Sequence, residues 1–213
     1  MRSVRLALLA VSLLLIASAA QAQYGASSDR RLELGINGGY AWTWARQVYV
    51  GASTGEVDIK DTGYWGLTLD IHVRPEKQVE LLYRRQDSQL TFQAPFLGRQ
   101  TLADVAVEYW QIGGLGGVPR GDVMPYGLFT VGATHFIPKS SPYGDEWRFS
   151  MIFGLGVKKN VGEKLGFRVQ TQLPFTWVDG GGSITCGGGG CITTVGGSGI
   201  GQIDVGGGLY YRL

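Results

Sequence analysis

Asp70 and His72 stand two residues apart, the separation that puts two side chains on one face of a strand. An acid beside an imidazole can trade a proton, so the pair is a candidate acid–base dyad. The other histidine lies in Thr134-His135-Phe136, where no serine follows for an imidazole to activate. Cys186 and Cys191 bracket four glycines. In an oxidising compartment they would close a small disulfide ring. A metal would need more ligands, and no His or acid lies between the two thiols. The glycine run also lacks the Lys-Ser/Thr ending of a phosphate cradle and the helix that follows it. It reads as a surface loop tied at one point, where a partner could bind. No metal or cofactor is expected.

The elements that must carry these residues are strands. Of 213 residues, 35 are Gly and 7 Pro, and only 17% are charged. That composition excludes a helical bundle, a coiled coil and a charged disordered chain. The first 22 residues read as a secretory signal peptide. Arg2 and Arg5 precede the apolar run Leu6–Ile16, and Ala20-Gln21-Ala22 fits small-x-small cleavage before Gln23. The run is too short for a spanning helix, which needs roughly 20 apolar residues. Without Arg2 and Arg5, the 19 Lys and Arg fall to 17, level with 17 Asp and Glu. A neutral chain without a basic block is a poor nucleic-acid binder.

After a polar lead over residues 23–30, apolar residues recur at every second position. The first stretch sets Leu32, Leu34, Ile36, Tyr40, Trp42 and Trp44 against Glu33, Gly35, Asn37, Gly39 and Ala41. A second sets Trp65, Leu67, Leu69, Ile71 and Val73 against Tyr64, Gly66, Thr68, Asp70 and His72. The third sets Val79, Leu81 and Tyr83 against Glu80 and Arg84. In the fourth, Ala103, Val105, Val107 and Tyr109 oppose Asp104, Ala106 and Glu108, and the parity slips near Trp110–Ile112 as at a bulge. The fifth, about 126–137, has no clean parity. A sixth runs from Trp147 to Lys158 with Arg148 and Lys158 on its polar side, a seventh from Leu165 to Trp177 with Arg168 there. The eighth sets Ile203, Val205, Leu209, Tyr211 and Leu213 against Asp204 and Arg212.

Connections alternate between short turns (74–76, 118–123, 160–163) and mostly longer loops (45–63, 88–100, 138–146, 178–199). The pattern predicts an all-β, eight-stranded antiparallel transmembrane β-barrel over residues 31–213, turns and both termini in the periplasm. A soluble barrel with a greasy interior is the competing arrangement. It fails on volume, because eight strands enclose only enough space for side chains and the large apolar set would overfill it. Trp42, Trp44, Trp65, Trp147 and Trp177 lie on the apolar face at the long-loop end, as an interfacial aromatic girdle would. Tyr211 and Tyr126 would mark the opposite rim. Turning Arg84 or Arg168 toward lipid would cost roughly 2–4 kcal/mol each. The polar set Glu33, Asp70, His72, Glu80, Arg84, Asp104, Glu108, Arg148, Lys158, Arg168, Asp204 and Arg212 is therefore expected to fill the lumen and pair there.

On this dyad pattern, the loop asymmetry and the last strand, the sequence resembles the small eight-stranded outer-membrane barrels of the OmpA membrane domain, OmpX and OmpW types. Pro125-Tyr126-Gly127-Leu128 and Phe153–Lys158 are similar to that family as well. The resemblance implies that Val205, Leu209, Tyr211 and Leu213 act as an assembly signal, with Leu213 where the family usually ends in Phe. It implies as partners the outer-membrane lipid and the barrel-assembly machinery, with loops open to an extracellular partner. The expected role is non-enzymatic: a structural or loop-presenting barrel with a mostly occluded polar lumen. The alternative is an OmpW-like conduit for small or hydrophobic molecules. Lipid A modification is a weaker third reading, testable at His72 or His135.

Overall fold

The computed structural model describes residues 32–44, 46–50, 53–94, 98–139, 144–178, 184–187, 190–193 and 198–213. The signal peptide and polar lead expected over residues 1–22 and 23–30 lie outside them. Within them, side chains are left undescribed at 46–58, 92–94, 98–100, 102, 178, 184–187, 190–193 and 198–199.

Eight long strands close on themselves: β1 (Leu32–Thr43), β4 (Thr62–Arg74), β5 (Lys77–Ala94), β6 (Gly98–Gly117), β7 (Val123–Pro138), β8 (Glu146–Asn160), β9 (Leu165–Val178) and β12 (Ser198–Arg212). Each pairs antiparallel with its chain neighbours in this set, and β12 returns to β1, with Leu34 opposite Tyr211 and Trp42 opposite Ile203. Closure leaves no barrel edge unpaired, the condition a sheet must meet in lipid. Two hairpins add to the expected eight strands. The pair β2 (Arg46–Val50) and β3 (Ser53–Ile59) extends the sheet alongside β5, while β10 (Ile184–Gly187) and β11 (Gly190–Thr193) form a separate ladder. That ladder pairs the backbones of Cys186 and Cys191, whose side chains are among those not described.

One end carries short turns. Pro75-Glu76 joins β4 to β5, and Gly121 takes φ +61° between β6 and β7, a conformation that favours glycine. At the other end the strands run long. Segment 88–100, expected as a loop, is mostly hairpin, since β5 has 18 residues and β6 has 20.

Exposure alternates along the strands as the pleat requires. Leu34, Ile36, Leu67, Phe153, Leu155, Val169, Leu173, Val205 and Leu209 face outward and are exposed, with Leu155 at 72%. Glu33, Asp70, Glu80, Arg84, Lys158, Arg168 and Asp204 face inward, none more than 2% exposed. The fifth strand resolves too: Tyr126, Leu128, Thr130 and Thr134 point in, and Phe129 points out. Tyr126, expected on the rim, is instead inside, where its hydroxyl donates to Gln170 Oε1 at 2.8 Å. Its ring lies over Gly156, where an added Cβ would come 2.6 Å from Tyr126 Oη and 2.7 Å from the Val169 carbonyl oxygen.

The fourth strand is inverted relative to expectation. Val105, Val107, Tyr109, Gln111 and Leu115 point into the bore, and Asp104, Glu108, Trp110 and Ile112 point out. Nothing slips at Trp110–Ile112; the register shift falls at Leu90/Thr91 instead. Val105, Val107, Tyr109 and Leu115 are not lipid-facing because they join Leu82, Tyr126, Leu128 and Ile152 in an apolar cluster inside the barrel.

Candidate functional site: the lumen and its rim

The lumen is crossed by ion pairs in two tiers. In the tier toward the turns, Lys158 Nζ lies 2.8 Å from Glu33 Oε2, 2.6 Å from Asp70 Oδ2 and 2.6 Å from Gln78 Oε1. Arg168 Nη1 donates to Glu80 Oε2 at 2.6 Å and lies 3.7 Å from Asp70 Oδ2. Arg212 Nε donates to Glu33 Oε1 at 2.8 Å, and its Nη2 to Asn160 Oδ1 at 2.7 Å. Around the ring, β8 stands opposite β4 and β9 opposite β5. Lys158–Asp70 and Arg168–Glu80 are thus spokes across the full bore.

In the tier toward the loops, Arg84 pairs with Asp204, its guanidinium 4.8 Å from the Tyr64 ring centre and 4.3 Å from that of Tyr109. Tyr109 Oη donates to Gln202 Oε1 at 2.8 Å, a third full-width link, from β6 to β12. On the remaining wall, Gln111 Nε2 donates to Ser150 Oγ at 2.7 Å, and Thr134 bonds Thr176 at 2.9 Å.

The bore charges balance, with Glu33, Asp70, Glu80 and Asp204 against Arg84, Lys158, Arg168 and Arg212. Balance is what burial demands, since a charge left unpaired out of water is several kcal/mol unfavourable. A recess of about 120 Å³ opens at the turn end, lined by His72, Gln78, Lys158, Asn160 and Arg212 among others.

Asp70 and His72, the candidate dyad, do not pair with each other, and both sit instead in the hydrogen-bonded network of the lumen. Asp70 is held by Lys158, whereas His72 Nε2 lies 2.8 Å from Glu33 Oε1. Arg148 sits apart from both tiers, at the loop end, paired with Glu146. Among the described residues, no group of His, Cys, Asp and Glu is arranged to hold a metal.

Two expected lumen residues belong to the outer wall. Asp104 is exposed and accepts from Gln89 Nε2 at 3.0 Å. Glu108 Oε1 accepts from Tyr83 Oη at 3.0 Å and Arg85 Nη1 at 2.9 Å, with His135 Nδ1 3.5 Å from Oε2. His135 Nε2 lies 3.5 Å from Asp145 Oδ2, and its ring stacks on Trp147 at 4.1 Å. Beyond them Asp87 pairs with Lys139 at 3.0 Å and Arg85 at 3.3 Å. The Lys139 hydrogen bond, followed by that of Arg85, holds the Asp87 carboxyl below its ordinary range. Trp65, Tyr83 and Trp110 make a row of ring contacts at 5.6 and 4.6 Å just beneath this cluster. Trp110 thereby joins the five tryptophans expected in the girdle, all six between 44% and 56% exposed. Above this row the outer face of β5–β7 is polar because those strands overrun the apolar belt. The sequence hides this cluster because alternation along the fourth strand sets Asp104 and Glu108 opposite Val105, Val107 and Tyr109 without showing that the apolar set is the inner one. Thr134, next to His135, points the other way toward Thr176, so the imidazole has no adjacent hydroxyl to activate. The expected assembly-signal residues Val205, Leu209, Tyr211 and Leu213 all project outward, 40% to 63% exposed.

No protein-family model matches the chain, and no curated protein matches it. Solved structures do. The outer membrane protein OprG of Pseudomonas aeruginosa aligns with TM-score 0.56 at 15% identity, covering 85% of this chain and 95% of OprG. Neisserial surface protein A aligns with TM-score 0.55 at 10% identity, covering 89% and 100%. The outer membrane protein AlkL, solved in lipid bilayers, aligns with TM-score 0.54 at 13% identity, covering 89% and 93%. At these identities the likeness is one of fold, and the chain folds as a small eight-stranded barrel of the kind outer-membrane proteins use.

Proposed function

We propose that the chain is an exported outer-membrane barrel, non-enzymatic, that serves the envelope structurally or presents its long loops to partners. The lumen spokes are the observation that carries this reading, because Lys158–Asp70 and Arg168–Glu80 join opposite walls across the bore, as an occluded lumen would require. The exposed apolar belt and its tryptophans fit a lipid surround, with the turns and termini on the periplasmic side. Lipid and the assembly machinery are its partners in this reading. The Cys186–Cys191 disulfide belongs to it as well, since the two backbones are paired in register and export supplies an oxidant.

Planar-bilayer recording tests the occluded lumen. We expect no large, stable current, and a steady ion-selective conductance would favour the conduit alternative. Fractionation tests the location: a heat-modifiable band in washed outer membranes supports it, and freely dissolved protein in periplasmic extract overturns it.

A further inference from the structure

The outer-wall cluster sets a carboxylate at each nitrogen of the His135 ring. Glu108 Oε2, from β6, lies 3.5 Å from Nδ1, and Asp145 Oδ2, at the entry to β8, lies 3.5 Å from Nε2. The ring is 14% exposed, and Nε2 is buried without a hydrogen-bond partner. Its face lies on the indole of Trp147, 4.1 Å between centres and 8° from parallel. In the ladder His135 stands opposite Glu108 on one side and Trp147 on the other, so three strands meet at this ring.

A neutral imidazole cannot serve both carboxylates. It has one N–H and one lone pair, and an ionised carboxylate only accepts. Whichever nitrogen carries the proton, the other turns its lone pair toward a negative oxygen. Only the imidazolium offers a donor at each end, and its charge also suits the face of Trp147. Both separations exceed the roughly 2.9–3.0 Å of a full N–H···O bond, so the two acids stand beside the ring without closing on it.

The surrounding charges leave room for that proton. Glu108 uses its other oxygen, Oε1, for Tyr83 and Arg85 of β5. Arg85 also reaches Asp87, which takes Lys139 just past the end of β7. Glu146 and Arg148 of β8 pair with each other, and Asp104, farther along β6, accepts from Gln89. Within the linked group, Glu108, Asp145 and Asp87 outnumber Arg85 and Lys139 by one, and a proton on His135 brings the sum to zero.

We infer that His135 is a proton-operated clasp, whose imidazolium draws Glu108 and Asp145 together and so fixes the entry of β8 to the outer wall of β6 and β7. Histidine changes charge between about pH 5 and 8, so the clasp closes toward the acid side of that interval and opens toward the alkaline side. The clasp itself depends on the fold alone. Its use, setting how the β7–β8 connection is held as acidity changes, rests on the loop-presenting reading.

NMR of the folded barrel in lipid nanodiscs, from about pH 8 to about pH 5, tests it. We expect the His135 ring nitrogens and the Asp145 carboxyl to move with one shared midpoint. Emission from Trp147, read as the difference from Trp147→Phe, should fall over the same step, because a charged imidazole quenches a stacked indole. His135→Gln, checked by heat-modifiable gel mobility, should lose both the Asp145 and the Trp147 response. An Asp145 signal that stays flat while His135 titrates would overturn the clasp, as would the same Asp145 step in the variant. A coupled step in protein found freely dissolved in periplasmic extract would keep the clasp and remove the membrane reading. A flat Asp145 in protein that fractionates with outer membranes would do the reverse.

Discussion

Lys158 and Asp70 meet at 2.6 Å although they stand 88 residues apart in the chain and on opposite walls of the barrel. A contact of that length between opposite walls can form only if the bore is closed to the diameter that two side chains span. The pair thus measures the lumen as well as filling it.

Removing one partner should be costly. Lys158→Met leaves Glu33 and Asp70 without their shared cation, and we expect a loss of about 3–5 kcal/mol, the range for an orphaned buried charge. Adding Asp70→Asn should return part of it. Urea unfolding of both variants in lipid vesicles checks the order; a single variant as stable as the native chain would contradict the spoke.

The direction of the outer face can be read with one arginine. Leu155, at 72% exposure in the apolar belt, should tolerate Arg poorly, at about 2–4 kcal/mol in a bilayer. Glu108→Gln, above the tryptophan row, should leave insertion yield unchanged. Folding yields in vesicles compare the two.

Glycine contacts predict another contrast. Gly156→Ala would drive a methyl into the Tyr126 ring and the Val169 carbonyl, costing about 1–3 kcal/mol by overpacking. Gly116→Ala meets nothing within 4 Å and should be close to neutral. Thermal unfolding of the two variants separates them.

At the loop end, Asp87 titrates below its ordinary range because Lys139 and Arg85 hold its charged form. A depressed carboxyl contributes stability above its unfolded pKa and loses it as pH falls through the folded one, so the Asp87–Lys139 contact should persist through mild acid. Lys139→Gln should move the titration upward. Carboxyl-detected NMR across the acid range follows it.

Alternation in the sequence shows that a strand has two faces, but not which solvent wets each. Where aromatic and aliphatic residues oppose charges, as along Trp65–Val73, both face and solvent were legible. Around Val105–Glu108 the same signal inverted its meaning, because this strand rises above the belt with water outside and Leu82, Leu128 and Ile152 opposite its inner face. The fifth strand gave no parity because it places apolar residues on both sides, Leu128 inward and Phe129 outward. Pairings such as Arg168 with Glu80 were beyond reach, since they depend on which strands end up opposite each other. The outer cluster of Glu108, Arg85 and His135 was hidden for the same reason as the inverted strand.

The lumen spokes also constrain how the barrel is made. Arg84 on β5 waits for Asp204 on the last strand, and Glu80 for Arg168 on β9, so a half-built sheet carries solitary charges. Such a sheet cannot enter lipid cheaply one hairpin at a time. In the proposed membrane setting, insertion and closure are therefore expected to occur together, completed by the arrival of the C-terminal strand.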